Sequence, residues 1–175
     1  MAANSQRLQL ELWSFYELLE YKLPRFHFRQ LMYHPLLQSA SERCYFRLRS
    51  PIHIHYRPDK NGWIAKFQDM RRNVNIAGIF GHKDNIGQLP EDKRPFATLY
   101  HNGKYEQNAY GVLIFGRNAV LHINDRQIYG NELSIATVDH CLNDLFPVAM
   151  TELFNYMMDM QVDMNFLCED SISLD

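Results

Sequence analysis

The stretch Arg43-Cys44-Tyr45-Phe46-Arg47-Leu48-Arg49-Ser50-Pro51-Ile52-His53-Ile54-His55-Tyr56-Arg57 decides how this chain is read. Over Arg43–Arg49 the apolar residues Cys44, Phe46 and Leu48 alternate with Arg43, Tyr45, Arg47 and Arg49. After Ser50-Pro51, Ile52, Ile54 and Tyr56 alternate with His53, His55 and Arg57. Side chains of a β-strand point to opposite faces in turn, so this period of two predicts two strands with one buried and one wet face.

The same pattern extends in both directions. Pro58-Asp59-Lys60-Asn61-Gly62 is a turn signal, and Trp63, Ala65 and Phe67 alternate with Ile64, Lys66 and Gln68 as a third strand. Residues 74–80, 96–101, 110–115, 119–123 and 127–129 read as further strands, with Asn102-Gly103 as a hairpin turn. Before the stretch, the leucines and aromatics of residues 5–23 recur at three- and four-residue spacing and predict an amphipathic helix ending at Pro24. A shorter helix is expected over 26–38. After it, residues 134–160 return to helical spacing, with a break at Pro147. The expected fold is therefore α+β: one domain over residues 1–175, an antiparallel sheet of about five to seven strands, N-terminal helices and a long C-terminal helix. Residues 166–175 read as a flexible acidic tail.

Composition sets the outer bounds. The chain has 175 residues, of which 46% are hydrophobic and 22% charged, an ordinary globular balance. Its three cysteines, Cys44, Cys141 and Cys168, are odd in number and lack C-x-x-C spacing, which argues against a disulfide scaffold and suits a reducing compartment. Residues 1–20 show no basic start followed by an apolar run, and no stretch approaches the roughly 20 apolar residues of a membrane span. The expectation is a cytoplasmic protein without a membrane segment.

The net charge of −2 conceals a segregation. Residues 22–72 carry net +8, whereas residues 131–175 contain nine carboxylates and no Lys or Arg. Either the basic part has an anionic partner or the two parts answer each other. On a sheet, Arg43, Tyr45, Arg47, Arg49, His53, His55, Arg57 and Lys66 would share a wet face. Cations follow phosphates and rings stack on bases, so this face points to nucleic acid. The leading functional expectation is a non-catalytic binding or regulatory protein, with nucleic acid as partner and no cofactor.

Two alternatives stand beside it. Met150, Met157 and Met158 lie in the methionine-rich C-terminal helix, and flexible thioethers suit adaptable contacts. That helix could serve a protein–protein adaptor or inhibitor, with a homodimer as one form. His53-x-His55 would project two imidazoles together from a strand, as in a metal-dependent hydrolase. The cupin-like glutamate does not follow, however, and three nearby arginines oppose a dication. Gly78–Gly87 matches neither the phosphate-loop nor the dinucleotide pattern. Cys141 beside His140 on a helix is not a dyad, because consecutive helical residues diverge.

Overall fold

The computed structural model describes residues 2–22, 28–69, 74–125 and 133–167. The fold expectation is overturned: no strand occurs among these residues, and the chain is mostly helical. Helix α1 (Ala2–Glu17) widens into a π-helical turn, Leu18–Lys22, and a 3-10 segment follows at Phe28–Tyr33. Then come α2 (Ala40–His55), α3 (Lys60–Asp69), α4 (Ile76–Phe80), α5 (Arg94–Asn102), α6 (Ala109–Leu121), α7 (Ile135–Leu145) and α8 (Ala149–Asp159). Further 3-10 turns cover Lys83–Gln88, Glu91–Lys93 and Met164–Leu167.

Each expected strand has a helical fate. The two strands of 43–57 are one helix, α2; the third is α3; 74–80 contains α4; 96–101 lies in α5; and 110–115 with most of 119–123 is α6. The expected strand at 127–129 lies outside the described residues. The N-terminal helix stands where the spacing put it. The C-terminal helix is two helices, α7 and α8, separated at Phe146-Pro147-Val148. Residues 168–175 of the expected tail also lie outside the described residues.

End chemistry explains α2. Ser39-Ala40-Ser41-Glu42 is a capping box: the Ser39 hydroxyl accepts from the Glu42 N–H, and the Glu42 carboxylate accepts from the Ser39 N–H at 2.6 Å. Once started, the helix places Cys44, Phe46, Arg47, Ser50, Pro51 and Ile54 on one buried side. Those positions recur at three and four residues, so the alternation at 44, 46 and 48 was a local coincidence within a longer period. Pro51 removes one helical hydrogen bond but does not end the helix.

Other turn signals proved to be helix ends. The Asp59 carboxylate accepts from the Gly62 N–H at 3.1 Å at the start of α3, and Asn102-Gly103 closes α5. Gly111, in the first turn of α6, lies so close to the Glu106 carbonyl that a Cβ would meet the oxygen at 1.9 Å. Only glycine permits that approach.

Two apolar clusters fill the interior. One joins α2, α3, α6 and α8 around Phe46, Phe67, Phe154 and Tyr156. The other joins α2, α4, α5, α6 and α7 around Phe80, Phe96, Phe115 and Leu142. Helix α6 contributes to both and is apolar on nearly every side, as a central helix must be. No described helix is long and apolar enough to cross a membrane.

Candidate functional site

The eight basic and aromatic residues expected on one face separate into two groups, because a helix turns by 100° per residue where a strand alternates. Arg43 and Arg47 face α7. Arg43 donates from Nε and Nη2 to Asp139 Oδ2 at 2.9 and 2.6 Å, and from Nη1 to the Pro35 and Gln38 carbonyls. Arg47, only 7% exposed, donates to Asp139 Oδ1 at 2.5 Å and to Asn143 Oδ1 at 2.6 Å. Asn143, one turn beyond Asp139, donates in turn to Asp139 Oδ2 at 3.1 Å. Burial alone would raise the Asp139 carboxyl, yet the two guanidiniums hold it below its ordinary value. Part of the charge segregation is thus answered inside the molecule, between α2 and α7.

Of the other six, His55 and Lys66 are exposed, and Tyr45, Arg49, His53 and Arg57 are half-buried. The Arg49 guanidinium lies 5.7 Å from the ring centre of half-buried Tyr45. Arg57 stacks 4.9 Å over Trp63 and donates from Nε to His53 Nε2 at 3.1 Å. Burial, and then the Arg57 charge, lower the His53 pKa. Tyr56 is 81% exposed with His55 at its edge, and Lys66 is exposed. His53 and His55 are two residues apart on a helix, so they project to different sides. No group of three or more metal-ligating side chains occurs among the described residues.

Met150, Met157 and Met158 lie in the interior at 3%, 0% and 1% exposure. They pack within the first apolar cluster and present no outer surface.

An outer apolar surface exists elsewhere, where the sequence reading had placed only a core-facing helix. Helix α1, with its π-helical turn, buries Leu18 and packs Phe15 on the core, but leaves most of its large apolar side chains outside. Its inward side carries Glu11 and Ser14, 2% and 5% exposed. Its outward side carries Leu8, Leu12, Trp13, Tyr16 and, in the π-helical turn, Leu19, with Leu10 to one flank. Trp13 reaches 62% exposure, and its indole donates to Glu17 at 3.0 Å while its ring packs 5.9 Å from Tyr16.

Polar side chains on the inward side pair within the helix, at Glu11, and across to neighbouring elements, at Ser14. Glu11 pairs with Arg7 at 3.4 Å. Burial raises the Glu11 pKa, against the attraction of Arg7, Arg43 and Arg47. The helix therefore sits beside the arginine–aspartate cluster and adds a carboxylate to its positive field. Further along, the Leu36 N–H donates to His34 Nδ1 at 3.2 Å, so the proton of this fully buried ring resides on Nε2. That proton faces Ser14 Oγ at 3.3 Å, and the Ser14 hydroxyl donates to Asn155 Oδ1 at 3.2 Å. Phe15 and Phe154 enclose the imidazole edge-on. Burial pushes its pKa down to about 4.

The signal for this arrangement was present in the sequence. Residues 8–19 hold more large apolar side chains than one stripe can contain, and Glu11 and Ser14 interrupt them. What spacing could not supply was which side meets the protein.

One apolar recess also opens between α3, α4, α6 and the α7–α8 turn, with a volume of about 150 Å³. It is lined by Phe67, Ile79, Val112, Leu113 and Phe146, with Glu152 as its one carboxylate. Of the thiols, Cys44 and Cys141 are both buried, and burial pushes each up to about 11, which leaves neither as a ready nucleophile. No protein-family model, no curated protein and no solved structure matches this chain.

Proposed function

We propose that this is a non-catalytic protein-binding module, an adaptor or inhibitor whose contact surface is the outward face of α1. The observation that carries the reading is the outward face of that helix: Glu11 and Ser14 are buried with Phe15 and Leu18 on the inner side, while Leu8, Leu12, Trp13, Tyr16 and Leu19 stand outside. A fully buried leucine is worth about 1.5–3 kcal/mol relative to an exposed one. Holding four leucines, a tryptophan and a tyrosine at 36–62% exposure on one helix is costly unless something covers them. Contiguous patches of this kind mark interaction surfaces, and Trp and Tyr are the residues that dominate binding energy there.

The test is site-specific photo-crosslinking. A photoreactive residue at Leu12 is expected to give discrete protein adducts that the same residue at His55 does not. Equal labelling from both positions, or no protein adduct from Leu12, removes α1 as the contact surface.

A second reading is favoured by the α2–α3 corner, where Arg57 stacks on Trp63 beside exposed Tyr56, Lys60 and Lys66. Exposed rings among cations suit single-stranded nucleic acid, with bases stacked and phosphates neutralised. It makes no use of Arg43 and Arg47, which are committed to Asp139. Fluorescence anisotropy of labelled single-stranded DNA and RNA tests it. Binding should weaken as salt rises, and R57A/K66A should flatten that slope by about two phosphate contacts. No binding at low salt, or an unchanged slope, ends this reading.

A further inference from the structure

We infer that the occupant of the α1 face is a second copy of this chain, paired antiparallel about a two-fold axis near the middle of the helix. This rests on the reading of α1 as a protein contact and names its partner.

Three observations lead there. The first is spacing. Leu8, Leu12, Phe15 and Leu19 succeed one another at steps of four, three and four residues, the rhythm with which two helices interlock side chains along a shared seam. Phe15 is half-buried against the core, and the three leucines are 40–50% exposed. The seam therefore runs from the edge of the protein's own core out to its surface, and a second helix would continue that core.

The second is area. The exposed apolar surface of α1 is on the order of 500 Å² per copy, counting aromatics at roughly 150–250 Å² when fully covered. A two-fold axis uses the patch twice, which brings the total to about 1,000 Å², the level at which a specific interface becomes tenable.

The third is charge, which also fixes direction. Exposed Glu17 and Glu20 follow the apolar stripe toward the C-terminal end of the helix. Parallel pairing would set Glu17 and Glu20 of the two copies side by side. Antiparallel pairing with Leu8 opposite Leu19 sets the two Glu17 about 10 Å and the two Glu20 about 20 Å apart along the helix axis. It also carries them toward the positive N-terminal end of the facing helix. In that arrangement Leu8 of one copy meets Leu19 of the other across a centre formed by Leu12, Trp13 and Tyr16.

The experiment uses the purified full chain. Light scattering over a broad concentration range should show the mass rising from 20.8 kDa toward twice that value. Leu12→Glu should raise the dissociation constant at least tenfold, while its helical circular dichroism and unfolding midpoint stay those of the wild-type monomer. Leu121→Glu, at an equally exposed leucine on α6 (51% against 50%), should leave the dimer unchanged. Direction is read by oxidising mixed variants that each carry one introduced cysteine in a Cys168→Ser background, where the remaining Cys44 and Cys141 are buried. Leu8→Cys should link to Leu19→Cys and not to itself.

A monomer at every concentration, a dimer indifferent to Leu12→Glu, or self-linked Leu8→Cys would each overturn the inference. If the wild type is monomeric but the photoreactive group at Leu12 captures a different protein, α1 remains a contact surface and only its partner changes.

Discussion

Helices α1 and α8 lie against each other, are similarly rich in large apolar residues, and bury opposite parts of themselves. In α8 the methionines, Leu153, Phe154 and Tyr156 are inside, at 0–3% exposure. In α1 Glu11 and Ser14 are inside while Leu12 and Trp13 are half or more exposed. The difference lies in what each helix meets. Helix α8 packs on α6 and joins the first apolar cluster. Helix α1 lies near a buried Arg43–Arg47–Asp139 cluster whose excess positive charge is better answered by Glu11 than by a leucine. A buried charge left without partners costs more than a leucine left in water, so the polar side of α1 turns inward. Apolar content alone does not make a helix part of the core.

The largest expected effect strikes the cluster that separates the two helices. Asp139→Ala leaves the buried Arg47 guanidinium without its carboxylate and should cost about 3–5 kcal/mol in urea unfolding, and Arg47→Ala should cost less because Arg43 still pairs with Asp139. The double variant should cost less than the sum of the singles, because they share one interaction. Strict additivity would mean the two side chains do not meet.

Next comes a direct contrast. Met157→Ala in α8 should cost about 2–5 kcal/mol. Leu12→Ala in α1, measured at low protein concentration, should stay within about 0.5 kcal/mol. Comparable losses at the two positions would erase the distinction drawn between the helices.

A third expectation concerns pH. His34 has a folded pKa of about 4, below its ordinary 6.5, so the unfolded chain binds the proton more readily. Stability should therefore be whole above pH 6.5, fall as the pH drops from about 6.5 toward 4, and then stop falling on this account. The loss is on the order of 3 kcal/mol. His34→Gln should flatten that window, and α1 should loosen first, since the ring faces Ser14. Hydrogen exchange resolved along the chain would show whether α1 opens before α8.

The smallest effect belongs to the α2–α3 corner. Arg57→Ala should cost about 0.5–1 kcal/mol, the worth of an exposed cation–π contact. It should leave any α1-dependent association untouched.

Legibility differed by element for identifiable reasons. The N-terminal helix could be read because its periodicity extends over five turns. The break at Pro147 could be read because proline cannot donate the helical hydrogen bond. The region 43–123 misled because seven-residue alternations satisfy a period of two by chance. The decisive signals were shorter: Ser39 with Glu42, Asp59 before α3, Asn108 accepting from the Gly111 N–H through its side-chain oxygen at 2.9 Å, and Ser134 capping α7. These caps lie at helix ends and are independent of face, so they survive where periodicity is ambiguous. Of the expected site, His55 and Lys66 are exposed, while Tyr45, Arg49 and Arg57 are half-buried. The inward turn of Arg43 and Arg47 does not follow from either period.

The sequence by itself determined where helices can begin, which segments carry apolar faces, and that a basic segment and an acidic one would have to be reconciled. Only the tertiary structure decided that Asp139 would meet Arg43 and Arg47, that the methionines would go inside, and that the leucines of α1 would face out. The reason is physical. Caps and periodicity are properties of neighbours in the chain. The environment of a face is set by residues some hundred positions away, through desolvation and pairing energies that no local window contains.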